Sequence, residues 1–105
     1  MNGFDDRGKG FEAKYKVDQE TQFKIIARRN KLLGEWAADQ MGITGDDAAN
    51  YAGEVVASDF EKPGDSDVVE KVLKDLAAKA ITLDESDLRK KMDELTAVAR
   101  DQIVS

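Results

Sequence analysis

From Asp18 to the end of the chain, apolar residues recur at helical spacing; before Val17 they do not. At 100° per residue, Phe23, Ile26, Ala27, Leu33, Ala37 and Met41 share one side of a helix predicted over 18–41. Ile25, Leu32 and Trp36 fall on the adjoining side. The combined apolar arc is roughly 220°, wider than a surface helix needs. This helix is therefore expected to touch more than one neighbour and to stand at the centre of the fold. Lys24, Arg28, Lys31, Glu35 and Asp39 fill the remaining polar strip. Arg29 and Asn30 interrupt the apolar arc, where they either hydrogen-bond to neighbouring helices or meet a partner or ligand.

Punctuation divides the rest into three more helices. Gly42 supplies a stop after the first. Thr44 with Asp47 resembles a capping box opening a helix over 45–61, with Ala48, Ala52, Val55, Val56 and Phe60 towards the core and Tyr51 at its edge. Pro63-Gly64 is the strongest break. Asp65 or Ser66 then caps a helix over 65–80 with Val69, Val72, Leu73, Leu76 and Ala80 in one stripe and Glu70–Lys74 and Lys71–Asp75 paired outside. Thr82-x-x-Glu85, or Asp84, opens the last helix, 84–104, whose Leu88, Met92, Leu95, Ala99 and Gln102 or Ile103 form a narrow seam. That seam suits antiparallel bundle packing, and the short connections make successive helices antiparallel neighbours. The prediction is all-α: a four-helix bundle over 18–105 with Phe23, Ile26, Leu33, Trp36, Val55, Val72, Leu76, Leu88, Met92 and Leu95 in its core.

Residues 1–17 follow another rule. Three aromatics stand there with only Ala13 and Val17 beside them, and glycines at 3, 8 and 10 interrupt any helix. Phe4, Phe11 and Tyr15 would share one face of a helix. Gly8 and Gly10 each cost about 1 kcal/mol in a helix interior, so the free segment is expected to be a flexible arm. An arm that shows an aromatic stripe only once ordered fits folding on binding. The alternative is a frayed terminus that docks Phe11 or Tyr15 on the bundle.

Composition narrows the function. At 105 residues the chain is one domain with a single modest core. It has no Cys and no His, which removes thiolate and imidazole chemistry. Asp5-Asp6, Asp46-Asp47 and Asp84-Glu85 are paired carboxylates, and two of these pairs stand at helix N-termini, where they complement the dipole. No catalytic residue, metal site or cofactor is expected. A net charge of −6 argues against nucleic acid. Its spread is uneven, because residues 1–16 hold three acids against four bases and leave seven net negative charges on the remainder. Neither a signal peptide nor a membrane-spanning run is present, so a cytoplasmic protein without direct membrane insertion is expected. The cluster Arg28, Arg29 and Lys31 offers a weak adenine-nucleotide contact, though no Gly-rich loop accompanies it.

The residues then carry a resemblance. Phe4-Asp5-Asp6-Arg7, Phe11-Glu12-Ala13-Lys14, Phe23-Lys24 and above all Ala27-Arg28-Arg29-Asn30-Lys31-Leu32-Leu33-Gly34 with Trp36-Ala37-Ala38 are similar to the zeta subunit, the small ATPase inhibitor of alphaproteobacterial F-type ATP synthases. Arg89-Lys90-Lys91-Met92-Asp93-Glu94-Leu95 and Gln102-Ile103 resemble the same family's last helix. The resemblance implies four helices with a mobile N-terminus that enters the F1 head, peripheral to the membrane, at an α/β interface near the γ rotor. There it blocks ATP hydrolysis and spares synthesis. Phe4, Phe11 and Tyr15 would be apolar anchors, and Asp5, Asp6, Arg7, Glu12 and Lys14 would form ion pairs. The bundle would be a stop against over-threading. Two positions depart from the family pattern: Gly8-Lys9-Gly10, where helix-compatible residues are usual, and Glu35, where an apolar residue is expected beside Trp36. The rival classes are a small helical adaptor and a nucleotide-responsive regulator, neither with enzymatic activity.

Overall fold

A computed structural model of the chain describes residues 19–59 and 65–104. The predicted arm, Phe60 and Pro63-Gly64 lie outside the described residues. Four helices make up the fold: α1 (Gln19–Gln40), α2 (Gly45–Ser58), α3 (Ser66–Ala78) and α4 (Glu85–Val104), with no strand among the described residues. α1 packs along both α2 and α4, those two do not meet, and α3 touches all three. The wide apolar arc of α1 thus serves three neighbours. Directions alternate: Gly34 faces Ala52 and Val55 on α2, Tyr51 and Glu54 on α2 reach Asp75 and Lys71 on α3, and Arg28 and Trp36 on α1 meet Gln102 and Lys91 on α4.

The core is continuous. Leu33, Ala37, Ala38, Val55, Val68, Val69, Val72, Leu76, Leu88 and Met92 are buried in one cluster, and Trp36 and Leu95 pack half-buried against it. At Gly34 an added Cβ would stand 2.5 Å from the Ala52 Cα, so α1 and α2 touch backbone to backbone there. Gly34 is therefore a packing requirement.

Several expectations are corrected. Phe23 and Ile26 were expected in the core, yet they are 53% and 37% exposed. They share the face of Leu33 and Ala37, but the antiparallel α2 and α4 end beside Ala27 and Arg28, with Val56 and Ile103 nearby, and the first turns of α1 run past them. Helical periodicity reports a face and not where the neighbouring helix stops. Tyr51, expected at an edge, is buried. Neither Thr44 nor Asp65 makes a side-chain cap hydrogen bond, although each occupies an N-cap position.

Ala80, expected in the stripe of α3, lies past its end with φ of 63°. The Ile81 amide donates to the Leu76 carbonyl (2.9 Å) and the Ala80 amide to the Ala77 carbonyl (2.9 Å). α1 ends the same way: Gly42 has φ of 75°, and the Ile43 amide donates to the Ala38 carbonyl at 2.8 Å. Both are Schellman closures. In each, an isoleucine one residue beyond packs back on the core.

Candidate functional site

Lys24, Arg28 and Lys31 project in one row along α1, about 10 Å long at 1.5 Å per residue. Beside the row, Ala27 with Val56 of α2 and Ile103 of α4 forms an apolar floor, and Phe23 closes one side. The result is an open groove of about 360 Å³. No carboxylate stands among its described lining residues. Arg28 Nη1 donates to Gln102 Oε1 at 2.7 Å, which fixes its guanidinium across the α1–α4 junction. Lys24 Nζ lies 3.9 Å from Glu20, an exposed pair worth little.

Arg29, predicted from its sequence neighbours as a nucleotide or partner contact alongside Arg28 and Lys31, is not on this rim. Only 5% exposed, it faces the start of α3, where Nη2 donates to Asp65 Oδ1 at 2.9 Å and Nε to Asn30 Oδ1 at 2.8 Å. Buried and bonded through Nε and Nη2, it is turned away from the groove. The cause is geometric: one step along a helix turns the side chain by 100°. Of the predicted basic cluster, the structure brings Arg28 and Lys31 to the groove and turns Arg29 away. Asn30 is 1% exposed, and its Nδ2 has no hydrogen-bond partner among the described residues.

A second polar cluster joins α2 to α3. The Tyr51 hydroxyl donates to Asp75 Oδ2 at 2.8 Å. Lys71 Nζ donates to the same oxygen and to Glu54 Oε1, both at 3.1 Å, and lies 5.2 Å from the centre of the Tyr51 ring. Burial, then the hydrogen bond to Asp75 and the charges of Asp75 and Glu54, push the Tyr51 hydroxyl far above its ordinary range. For Lys71, burial acts against the charged form, but the bonds to Asp75 and Glu54 outweigh it and its pKa rises. Chemically this is a clamp: Tyr51 keeps its proton and Lys71 its charge, the states in which each donates.

Sequence reasoning placed Lys71 and Asp75 in an exposed pair and missed Tyr51 and Glu54 as their partners across the helix pair. It also missed Val56 and Ile103 as groove floor. Both required knowing which residues of different helices lie level. The predicted arm residues Phe4, Asp5, Asp6, Arg7, Phe11, Glu12, Lys14 and Tyr15 lie outside the described residues. Among the described residues no group of three or more acids could hold a metal ion, and no helix is long and apolar enough to cross a membrane.

What the fold and these surfaces define is a small all-helical domain with polar clamps between its helices and an open groove on one side. A protein-family model described as ATPase inhibitor subunit zeta matches residues 1–102. A structure solved by solution NMR is 51% identical, with 77% of this chain and 92% of that chain covered, at a TM-score of 0.69. No curated protein matches. The chain belongs to the ATPase inhibitor subunit zeta family.

Proposed function

We propose that this protein inhibits ATP hydrolysis by the F1 part of F-type ATP synthase, as a cytoplasmic subunit peripheral to the membrane. Residues Phe4–Tyr15 enter the catalytic α/β interface beside the γ rotor. Phe4, Phe11 and Tyr15 anchor there, and Asp5, Asp6, Arg7, Glu12 and Lys14 pair with charges of the cleft. The observation that carries this reading is the extent of the family match: it runs from residue 1 to residue 102 and so includes the arm as well as the bundle.

The bundle supports it by its size and its clamps. A single helix is about 10 Å across, and four of them cannot follow one extended segment into a cleft, so α1–α4 act as the stop. Inhibition by insertion uses no reacting group of the inhibitor, only an occupant of the interface that resists the closure needed for hydrolysis.

The test is an ATPase titration of F1 from the same source with two proteins, the full chain and a chain starting at Asp18. Hydrolysis should fall with the first and not with the second. Equal rates with and without the full chain would remove the inhibitor reading; equal inhibition by both would move the inhibitory element out of the arm.

A further inference from the structure

The groove beside α1 has properties that neither the bundle nor the inserted arm accounts for. Several surface cations are matched with acids one turn away, as in Lys71–Asp75, Arg89–Glu85, Lys91–Glu94 and, more loosely, Lys24–Glu20. The row Lys24, Arg28 and Lys31 differs in that its three cations line one groove together with apolar side chains. Lys24 reaches Glu20 only at 3.9 Å, Arg28 is held by the neutral amide of Gln102, and Lys31 stands exposed at the end of the row. Three cations with no carboxylate among the described lining residues contrast with a chain whose net charge is −6. They border a floor of Ala27, Val56 and Ile103 supplied by three different helices. A surface needing solubility alone has no use for an apolar floor under a row of three cations.

We propose that this groove is a second docking surface of the inhibitor, occupied by an acidic segment of an F1 subunit. That segment seats one aliphatic or aromatic side chain over Ala27, Val56 and Ile103, and its carboxylates pair with Lys24, Arg28 and Lys31. Charge complementarity selects an acidic partner, and the open form of the groove suits a chain laid along it. The proposal rests on the inhibitor reading above and gives the bundle a defined seat on F1. Two tethered contacts raise the effective concentration of the arm at its cleft. The groove therefore sets the potency of inhibition, while the arm sets its extent.

The test uses the full chain with Lys24→Glu, Arg28→Glu and Lys31→Glu together, titrated against F1 from the same source at low and high salt. The half-inhibitory concentration should rise roughly ten-fold at low salt, with saturating protein still inhibiting fully. Added salt should weaken the wild type and bring it towards the variant. A Gln variant at the same three positions should shift potency in the same direction by less. Circular dichroism melts check that each variant folds. A photo-crosslinker at position 31 should join an acidic stretch of an F1 subunit.

Unchanged potency in both variants overturns the proposal. So does a fall in the half-inhibitory concentration, which would mean that residues 1–17 of the same chain had occupied the groove. Altered self-association, or lost ATP-induced amide shifts, with F1 potency unchanged, would assign the groove to a second copy or to nucleotide and equally overturn it. Absence of inhibition by the wild-type chain is a separate result: it is the failure of the inhibitor reading, and this proposal falls with it.

Discussion

Arg29 Nη2 and Asp65 Oδ1 lie 2.9 Å apart and tie the middle of α1 to the start of α3. The two ends of this pair are unequally solvated, with side-chain exposures of 6% and 40%. Removing the acid strands a buried charged guanidinium whose remaining partner among the described residues is Asn30, whereas removing the cation returns a half-wet carboxylate to water and costs the neutral Asn30 Oδ1 one bond. Asp65→Ala is therefore expected to lower stability by about 1–3 kcal/mol, and Arg29→Met by less. Urea unfolding of both variants measures the order. A larger loss for Arg29→Met would show that the packing of the arginine stem outweighs the ion pair.

Ala80 closes α3 in the left-handed region that Gly42 occupies at the end of α1. An L-residue with a Cβ holds that conformation at a cost of about 1–2 kcal/mol, and the Schellman closure keeps it there because Ile81 must return to the core. Ala80→Gly should raise stability by about 1 kcal/mol, after allowing for the greater freedom of glycine in the unfolded chain. In a domain of this size that corresponds to a melting temperature higher by about 4–8 °C. A drop in melting temperature would mean that Ala80 is not left-handed in solution.

Two helical glycines should respond oppositely to alanine. At Gly34 the new Cβ would meet the Ala52 Cα at 2.5 Å and must push α1 and α2 apart, while at Gly53 it meets nothing within 4 Å. Gly34→Ala is expected to destabilise by about 1–3 kcal/mol in spite of better helix propensity. Gly53→Ala should stabilise by about 0.5–1 kcal/mol. Melts of the two single variants settle both signs.

The fold was legible wherever a rule is local. Periodicity placed four helices, Gly42 marked the end of the first, and the breadth of the apolar arc on α1 indicated a helix with more than one neighbour. Non-local facts escaped. Phe23 and Ile26 follow the core periodicity, and only the ends of α2 and α4 decide that they stay exposed. Asp65 stands where an N-cap is expected, but its carboxylate is drawn to Arg29, 36 residues away. Ala80 continues an apolar stripe by spacing, yet the helix closes before it without the glycine that would have signalled the turn. For the candidate surface, the polar strip of α1 was visible, with Lys24, Arg28 and Lys31 in it alongside Glu35 and Asp39. The floor was not, because Val56 and Ile103 come from two other helices.

The α2–α3 clamp predicts sensitivity to base. Tyr51 and Lys71 both have folded-state pKa values raised above their ordinary 10.0 and 10.5. A raised value means that the folded state holds its proton longer, so the contribution is complete below pH about 10 and is lost as pH climbs through the folded values. Stability should be flat from neutral pH to about pH 9.5 and then decline. Tyr51→Phe should lose about 1 kcal/mol at neutral pH with the hydrogen bond to Asp75, yet decline less steeply above pH 10. Chemical denaturation across pH 7–11 makes the comparison. An identical alkaline slope in the variant would place the titrating group elsewhere.

Gly8 and Gly10 bear on the proposed inhibitory step. If the arm becomes helical in its cleft, so that Phe4, Phe11 and Tyr15 line one face, each glycine adds about 1 kcal/mol to the free energy of ordering it. Replacing both by alanine should then tighten inhibition by roughly ten-fold. The bundle should be untouched, because the substitutions lie outside its helices, and an unchanged melting curve confirms that the gain belongs to the arm. The measurement is the half-inhibitory concentration for F1-catalysed ATP hydrolysis, compared between the wild type and the double variant. Equal or weaker potency would show that the bound segment is extended or turned at Gly8-Lys9-Gly10. The three aromatics would then engage separate pockets of the cleft and share no helical face.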